Sequence, residues 1–400
     1  MNNPSKDTKT MDLAEKVLFP TYKRVPIVLT RGEGCRVWDE NGKEYLDLVA
    51  GIAVCALGHS SPLVSRVLEE QSKELVHVSN LYYTKPQIEL ADLLVKNSFA
   101  GRVFFCNSGA EANEAAIKLA RRYSREKYGT GKHRIITMKG SFHGRTMATL
   151  SATGQEKIRA GYDPILDGFD YVPFNDLQGL EKAIDDSVCA VMLEPIQGEG
   201  GVVVPKTGYL KGVKEICRKK KVLLIFDEVQ VGMGRTGRLF AYENFGVTPD
   251  IMTLAKALGN GLPVGAMLAT EMLSEAFGPG SHATTFGGTP LVTAVANAVL
   301  KSLLEDGWLD HCRETGAYFK QRLESLAGKY AFIKEVRGLG LILGVEIDRP
   351  GAPVVEACKE KGFLINCAQE MVLRCVPPLI ISRDEVDRFV EALDEVFASL

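Results

Sequence analysis

Between residues 102 and 288 the chain repeats one pattern: a short apolar run, a turn, then a helix-like stretch. Mostly apolar runs fall at 103–106, 134–138, 188–193, 222–226, 251–254 and 264–269. Runs this short without polar alternation read as strands buried on both faces. Helices that cross between such strands make the sheet mostly parallel, so the class is α/β. Helical spacing is clearest over 110–128 and 208–220. Glycine supplies 39 of 400 residues, above the usual ~7%, as expected where many turns bring backbone close to something.

The flanks differ. Segments 35–39 and 43–49 bracket Asn41-Gly42, a pair favouring the positive φ angles of a tight hairpin. Ser61-Pro62 reads as the cap and first residue of a helix to about 75, and a second helix is expected over 86–96. After Phe286-Gly287-Gly288 come long helices at 290–305 and 309–328, short strands near 333–347, 363–367 and 371–376, and a last helix at 383–399. The expected division is a large domain over 61–288 and a smaller α/β domain built from both termini, 1–60 and 289–400. The first ten residues read as a loose tail. Two basic runs, 121–134 and 211–221, read as solvated helix faces.

Composition excludes several function classes. Lys and Arg total 48 against 50 Asp and Glu, a formal net charge of −2; a nucleic-acid partner would call for a basic excess. No apolar run approaches the ~20 residues a bilayer requires, and residues 1–10 lack the hydrophobic core of a signal peptide. Nine cysteines, an odd number with no CxxC, sit mostly in apolar runs, as buried thiols of a reducing compartment do. A cytoplasmic protein with no nucleic-acid or membrane partner is expected. Six scattered histidines lack metal-ligand spacing, so no metal is expected. Gly232 to Gly237 matches GxGxxG and follows a strand, but 227–231 intervene and no convincing helix follows. A nicotinamide oxidoreductase is therefore the alternative from another class.

Three segments carry chemistry. Cys106-Asn107-Ser108-Gly109-Ala110-Glu111 joins a buried strand to a long helix. Ser108 and Glu111 fit a capping box; equally, Ser108 and the N–H groups of Gly109 and Ala110 fit a phosphate site at a helix N-terminus. Asp227 and Glu228 close an apolar strand, placing a carboxylate where open α/β sheets bind ligands, although a strand-end Asp can be a plain turn residue. Lys256 closes another apolar strand before Gly259-Asn260-Gly261. It is either a lysine whose stem is buried and whose amine reaches solvent, or a desolvated amine for imine chemistry.

Together, an anion nest, a carboxylate and a lysine at three strand ends are what pyridoxal phosphate requires: donors for its phosphate, an acid partner for its ring nitrogen, an amine for its aldehyde. The stretches FFCNSGAEANEAAIKLAR, SFHGRT, IFDEVQVGMGRTG, LAKALGNGLPVGA, TTFGGTPL, RGLGLILGVE and LRCVPPL closely resemble those of subgroup (class) III aminotransferases, in the same order. The resemblance implies the pyridoxal-phosphate transferase fold of type I, with a large seven-stranded-type sheet. It further implies that Lys256 holds the cofactor and shuttles a proton, and that Asp227 pairs with the ring nitrogen. Glu228 and Val229 belong to the same cofactor-binding segment, and Gln230 contacts the ring hydroxyl. Ser108, Gly109 and Ala110 hold the phosphate, Phe142 stacks on the ring, and Thr285 reaches the phosphate of a neighbouring subunit. A homodimer sharing its active sites is thus implied.

Such an enzyme takes an amine far from its own carboxylate, then 2-oxoglutarate, whose carbonyl adjoins one. One cation cannot serve both distances, so two arginines are expected. Arg145 and Arg374 match the family's pair, Glu199 the acid that masks the second, and Thr284 and Tyr22 further substrate contacts. The implied amine is N-acetylornithine, with ornithine, succinylornithine, succinyldiaminopimelate and 4-aminobutyrate as alternatives. Asn260, Ala283 and Thr289 depart from the family pattern.

Overall fold

The structure, a computed structural model, describes residues 6–400. Seven strands form the central sheet: β1 Arg102–Cys106, β2 Arg134–Met138, β3 Phe169–Val172, β4 Val188–Leu193, β5 Leu223–Asp227, β6 Ile251–Leu254 and β7 Gly265–Ala269. Their spatial order is β1-β7-β6-β5-β4-β2-β3. From β6 to β3 every pairing is parallel, whereas β7 runs antiparallel to both β6 and β1.

Side-chain alternation explains why this sheet is sandwiched. In β5, Leu223 and Ile225 join one apolar cluster with Ile135, Met192, Ile251 and the alanine-rich side of helix Gly109–Tyr128. Leu224 and Phe226 join a second cluster with Ile136, Leu193 and Leu210, Val213 and Cys217 of helix Tyr209–Lys220. Both faces are covered, so the run needs no polar positions. Truncating Ile225 to Ala would cost about 2–5 kcal/mol on the usual scale of buried large-to-small changes.

Two four-stranded sheets flank the central one. In the first, Leu29–Glu33, Arg36–Asp39 and Glu44–Asp47 are joined by Phe363–Leu364, which pairs in parallel with Leu46 and Asp47. The second is ordered Ile333–Leu339, Ile342–Ile347, Val372–Cys375, Asn366–Ala368. Helix Pro290–Glu305 packs on helices Pro62–Glu74 and Lys85–Lys96, across residue 288. Among the described residues no helix is long and apolar enough to cross a membrane.

The structure corrects several expectations. Residues 6–10 are not tail: they open helix Lys6–Val17, a run uninterrupted by Gly or Pro; residues 1–5 lie outside the described chain. Strand β3 was hidden because FDYV is short, half-buried and carries an acid. Leu29–Glu33 was hidden because LTRGE is largely exposed. At Asn41-Gly42 only the glycine has positive φ, 84°, and Asp39 Oδ1 accepts from the N–H of Asn41 and Lys43 instead. The GxGxxG segment is not a dinucleotide turn: the next helical element is the 3₁₀ turn Ala241–Phe245. Its Arg235 is fully buried and donates to the carbonyls of Leu341 (3.0 Å) and Pro377 (2.5 Å), clasping the C-terminal region.

Candidate active site

The C-terminal ends of β5 and β6, and the loop after β1, open onto one cavity of about 460 Å³, where open α/β sheets place their ligands. Lining it are Ser108, Gly109, Ala110, Phe142, Arg145, Glu199, Asp227, Val229, Gln230 and Lys256. The three chemistry-bearing segments therefore meet, although the sequence holds them 148 residues apart (from 108 to 256).

The anion nest comes from β1 running into helix Gly109–Tyr128. Ser108 caps this helix, its Oγ accepting from Glu111 N at 3.2 Å. The reciprocal carboxylate bond goes one residue upstream, Asn107 N to Glu111 Oε2 at 2.6 Å. Capping uses a lone pair of the hydroxyl and leaves its proton to donate. The N–H groups of Gly109 and Ala110 precede the first helical bond, Ala112 N to Ser108 O, so the helix itself offers them no acceptor. Gly109 has no room for a side chain: a Cβ there would stand 2.7 Å from Val229 Cγ1.

Asp227 ends β5, nearly buried, inside a set of donors. Its Oδ2 accepts from Asn113 Nδ2 (2.7 Å) and His143 Nδ1 (2.8 Å), and its Oδ1 from Val229 N (3.0 Å). Three donors fix the carboxylate in place. Lys256 opens the 3₁₀ turn Lys256–Leu258 with φ 45°, a left-handed conformation that β-carbon-bearing residues seldom adopt. Burial is the largest influence on its amine and lowers its pKa; Arg374 adds to that, and Glu199, Asp227 and Glu194 oppose it. A lowered pKa supplies more of the neutral, nucleophilic amine.

Asn260, one of the departures from the family pattern, has φ 44° where glycine would be at ease. Its side chain repays the strain: Oδ1 accepts from Leu57 N at 2.7 Å and Nδ2 donates to Gly58 O at 3.3 Å. The loop after Lys256 is thus anchored to the N-terminal segment. Thr289 likewise donates to Val76 O at 2.8 Å.

The second arginine is fully prepared. Arg374, 2% exposed on strand Val372–Cys375, donates to Glu199 Oε1 at 2.5 Å, Asn366 Oδ1 at 3.1 Å and Gln230 Oε1 at 3.3 Å. Gln230 Nε2 in turn donates to Glu199 at 3.2 Å. Burial alone would raise the Glu199 carboxyl, but the Arg374 guanidinium holds it below the ordinary range. Arg145 is exposed on the cavity rim, its guanidinium 5.8 Å from the Phe142 ring centroid.

Four expected residues lie elsewhere. Glu228 turns away from the cavity, its carboxylate accepting from Ala241 N (2.6 Å) and Tyr242 N (2.8 Å), because the residue after Asp227 points to the opposite side of the chain. Thr284 bonds Asn107 Nδ2 (3.3 Å) and Gly287 N (3.2 Å) beside a separate, smaller hollow. Thr285 and Tyr22 are exposed and line none of the main cavity.

Sequence reading missed Asn113, His143 and Glu194, which all line the cavity. Glu194 accepts from Phe142 N (3.1 Å) and Gly198 N (3.2 Å), and burial pushes its carboxyl up to about 7. The one signal for Asn113 and His143 was their place inside the quoted stretches.

Comparison with known proteins gives the same picture. The Aminotransferase class-III family model matches residues 19–397. The acetylornithine aminotransferase of Caldanaerobacter subterraneus is 52% identical over 387 residues, 96% of this chain and 98% of the relative. The solved N-acetylornithine aminotransferase of Stenotrophomonas maltophilia superposes with a TM-score of 0.83 at 40% identity, covering 97% of this chain and 98% of that one. An ornithine aminotransferase from Toxoplasma gondii, with partial occupancy of PLP at its active site, superposes at 0.95 and 35% identity, covering 98% and 94%.

Proposed function

The chain belongs to the class-III aminotransferases, and we propose that it moves the terminal amino group of N2-acetyl-L-ornithine to 2-oxoglutarate. The products are N-acetyl-L-glutamate 5-semialdehyde and L-glutamate, a step of arginine biosynthesis, and pyridoxal 5'-phosphate is the cofactor. One observation carries this reading: a buried amine, a three-donor carboxylate and a helix N-terminus share a cavity with Arg145 and with Glu199, the partner of the buried Arg374.

The residues fit the cofactor. Ser108, Gly109 and Ala110 supply donors for a phosphate, Phe142 and Val229 supply apolar walls, Asp227 supplies the acid partner of a ring nitrogen, and Lys256 supplies the amine. When bound, the cofactor contributes an aldehyde and a conjugated ring that spreads the electrons left by a departing substrate proton. Asp227 keeps a proton at its partner nitrogen, which strengthens that spreading. Lys256, whose buried amine is biased towards its neutral form, would serve as the base that takes up and holds the substrate's proton. Arg145 at the rim meets the distant carboxylate of the long amine. Arg374 is released from Glu199 to clamp the carboxylate of 2-oxoglutarate, so Glu199 switches the site between two substrates of different length.

The proposal extends to a cytoplasmic homodimer. Asn80 Nδ2 donates to the carbonyls of Thr284 (3.1 Å) and Gly287 (2.9 Å), which puts Leu81, Tyr82, Tyr83 and Phe286 in one exposed apolar area. Patches of this kind mark interfaces, and Thr285 lies in it. The cytoplasmic reading is supported by cysteine usage, an odd number with no CxxC.

A panel of ω-amines with 2-oxoglutarate tests the assignment. N-acetylornithine should have the highest kcat/KM. Higher values for ornithine, which the Toxoplasma relative favours as the second reading, would replace it. Release of no glutamate with any amine would reject transamination.

A further inference from the structure

Asp227 Oδ2 is held by residues that no part of the proposed reaction uses. β5 and β6 are parallel neighbours with Asp227 in register with Thr253, three residues before Lys256. Bridging the two from the second turn of helix Gly109–Tyr128 is Asn113, 1% exposed. Thr253 Oγ1 donates to Asn113 Oδ1 at 2.7 Å. Asn113 Nδ2 donates to Asp227 Oδ2 and to the His143 carbonyl, each at 2.7 Å.

The chemistry of these groups gives the bridge one orientation. A carboxylate accepts only, and so does a carbonyl; both therefore demand the NH₂ side of the amide. The opposite side, Oδ1, can only accept, and the Thr253 hydroxyl fills it. Rotating the amide by half a turn would set its oxygen against the carboxylate and the carbonyl, acceptor against acceptor with no proton between them in a buried site. Asp227 Oδ2 thus receives Asn113 and His143, leaving lone pairs of Oδ1 as the carboxylate's remaining capacity beyond the Val229 N–H.

We infer that Asn113, oriented by Thr253, is the positioning residue that fixes the Asp227 carboxylate against the cofactor's ring nitrogen. It links the strand of the lysine, the helix of the anion nest and the strand of the aspartate into one frame. The inference rests on the proposed cofactor reading. The other ionisable groups facing Asp227 are His143, Glu194, Glu228 and Lys256; none is altered by substitution at 113 or 253.

The test uses the full-length protein reconstituted with pyridoxal phosphate. Absorption of the bound cofactor is titrated with pH, beside its dissociation constant, its melting temperature and single-turnover amino transfer. In Asn113→Ala a loosened carboxylate holds the ring proton less well, so the lysine-bound cofactor keeps its own proton to higher pH. The absorption midpoint should rise by about one unit. Single-turnover transfer should slow at least ~10-fold, while KM for both substrates stays within about twofold, as expected for an effect confined to the reacting state. Thr253→Val, equal in shape but lacking the donor, should shift the midpoint in the same direction by less; it decides the matter if Asn113→Ala does not fold. A midpoint unmoved in both folded variants would overturn the inference, whatever happens to the rate. If the unmodified protein develops no cofactor absorption at all, the reading of the cavity falls first and the inference with it.

Discussion

The two ends of the cavity are built differently. At the cofactor end, Asp227 has three donors, Ser108 and Glu111 cap the helix, and the loop after Lys256 is tied down through Asn260. Each of these groups is fixed by neighbours within the chain. At the end proposed for substrates Arg145 is exposed, Tyr22 is exposed and lines none of the cavity, and Arg374 is occupied by Glu199. The contrast follows from chemistry. Chemistry common to both half-reactions profits from a rigid frame, whereas a site that accepts two substrates in turn must rearrange.

That contrast is broken most severely by removing the amine. Lys256→Ala should reduce turnover at least ~10³-fold, and hydride trapping followed by mass spectrometry should find no covalent cofactor; trapping at another lysine would dissolve the assignment of the frame. Asp227→Ala should leave the cofactor bound while lowering kcat by roughly 10²-fold or more, the scale of losing one preorganised electrostatic partner. Equal kcat in that variant would show the frame to be architectural only. Arg374→Ala acts on the switching end. It should raise KM for 2-oxoglutarate about 10–100-fold, as losing a charge-assisted bond does, and disturb the amine much less; equal losses for both substrates would mean that the two ends are not separable.

The mildest effect concerns stability. Glu194 is raised by burial from its ordinary value to about 7, so the folded chain binds this proton more tightly than the unfolded chain. Its contribution is fully present below the unfolded value and is lost as pH rises towards 7. Melting temperatures measured from pH 4.5 to 7.5 should fall with pH more steeply in the unmodified protein than in Glu194→Gln. Parallel curves would exclude this carboxyl as a proton-linked part of the cavity wall.

Much of the fold was legible because its core is apolar by run rather than by alternation. β4 is buried at every residue, and VCAVML announces that directly. β3 and Leu29–Glu33 escaped because edge strands owe their conformation to a neighbour and carry little pattern of their own. The helix from Lys6 escaped because its apolar side chains Leu13 and Val17 stay largely exposed. In the site, Asp227 and Lys256 stood out as charges at the ends of apolar strands. Asn113 did not, because an asparagine in a polar-looking helix turn has nothing to mark it until β6 brings Thr253 beside it. Glu228 leaves the end of β5 on the side away from the cavity, a direction that adjacency in sequence does not specify.

The reversed direction of β7 has a consequence for engineering. Leu254 and Ala266 are cross-strand partners, so the stretch carrying Lys256 is a closed span stapled at both feet to the same sheet. Cutting and rejoining the chain elsewhere, at the exposed Gly129-Thr130-Gly131 turn for instance, leaves that staple whole. New termini at Gly259-Asn260 would instead turn one anchored arch into two loose arms, and the protein could fold around its sheet while losing the address at which its amine is delivered.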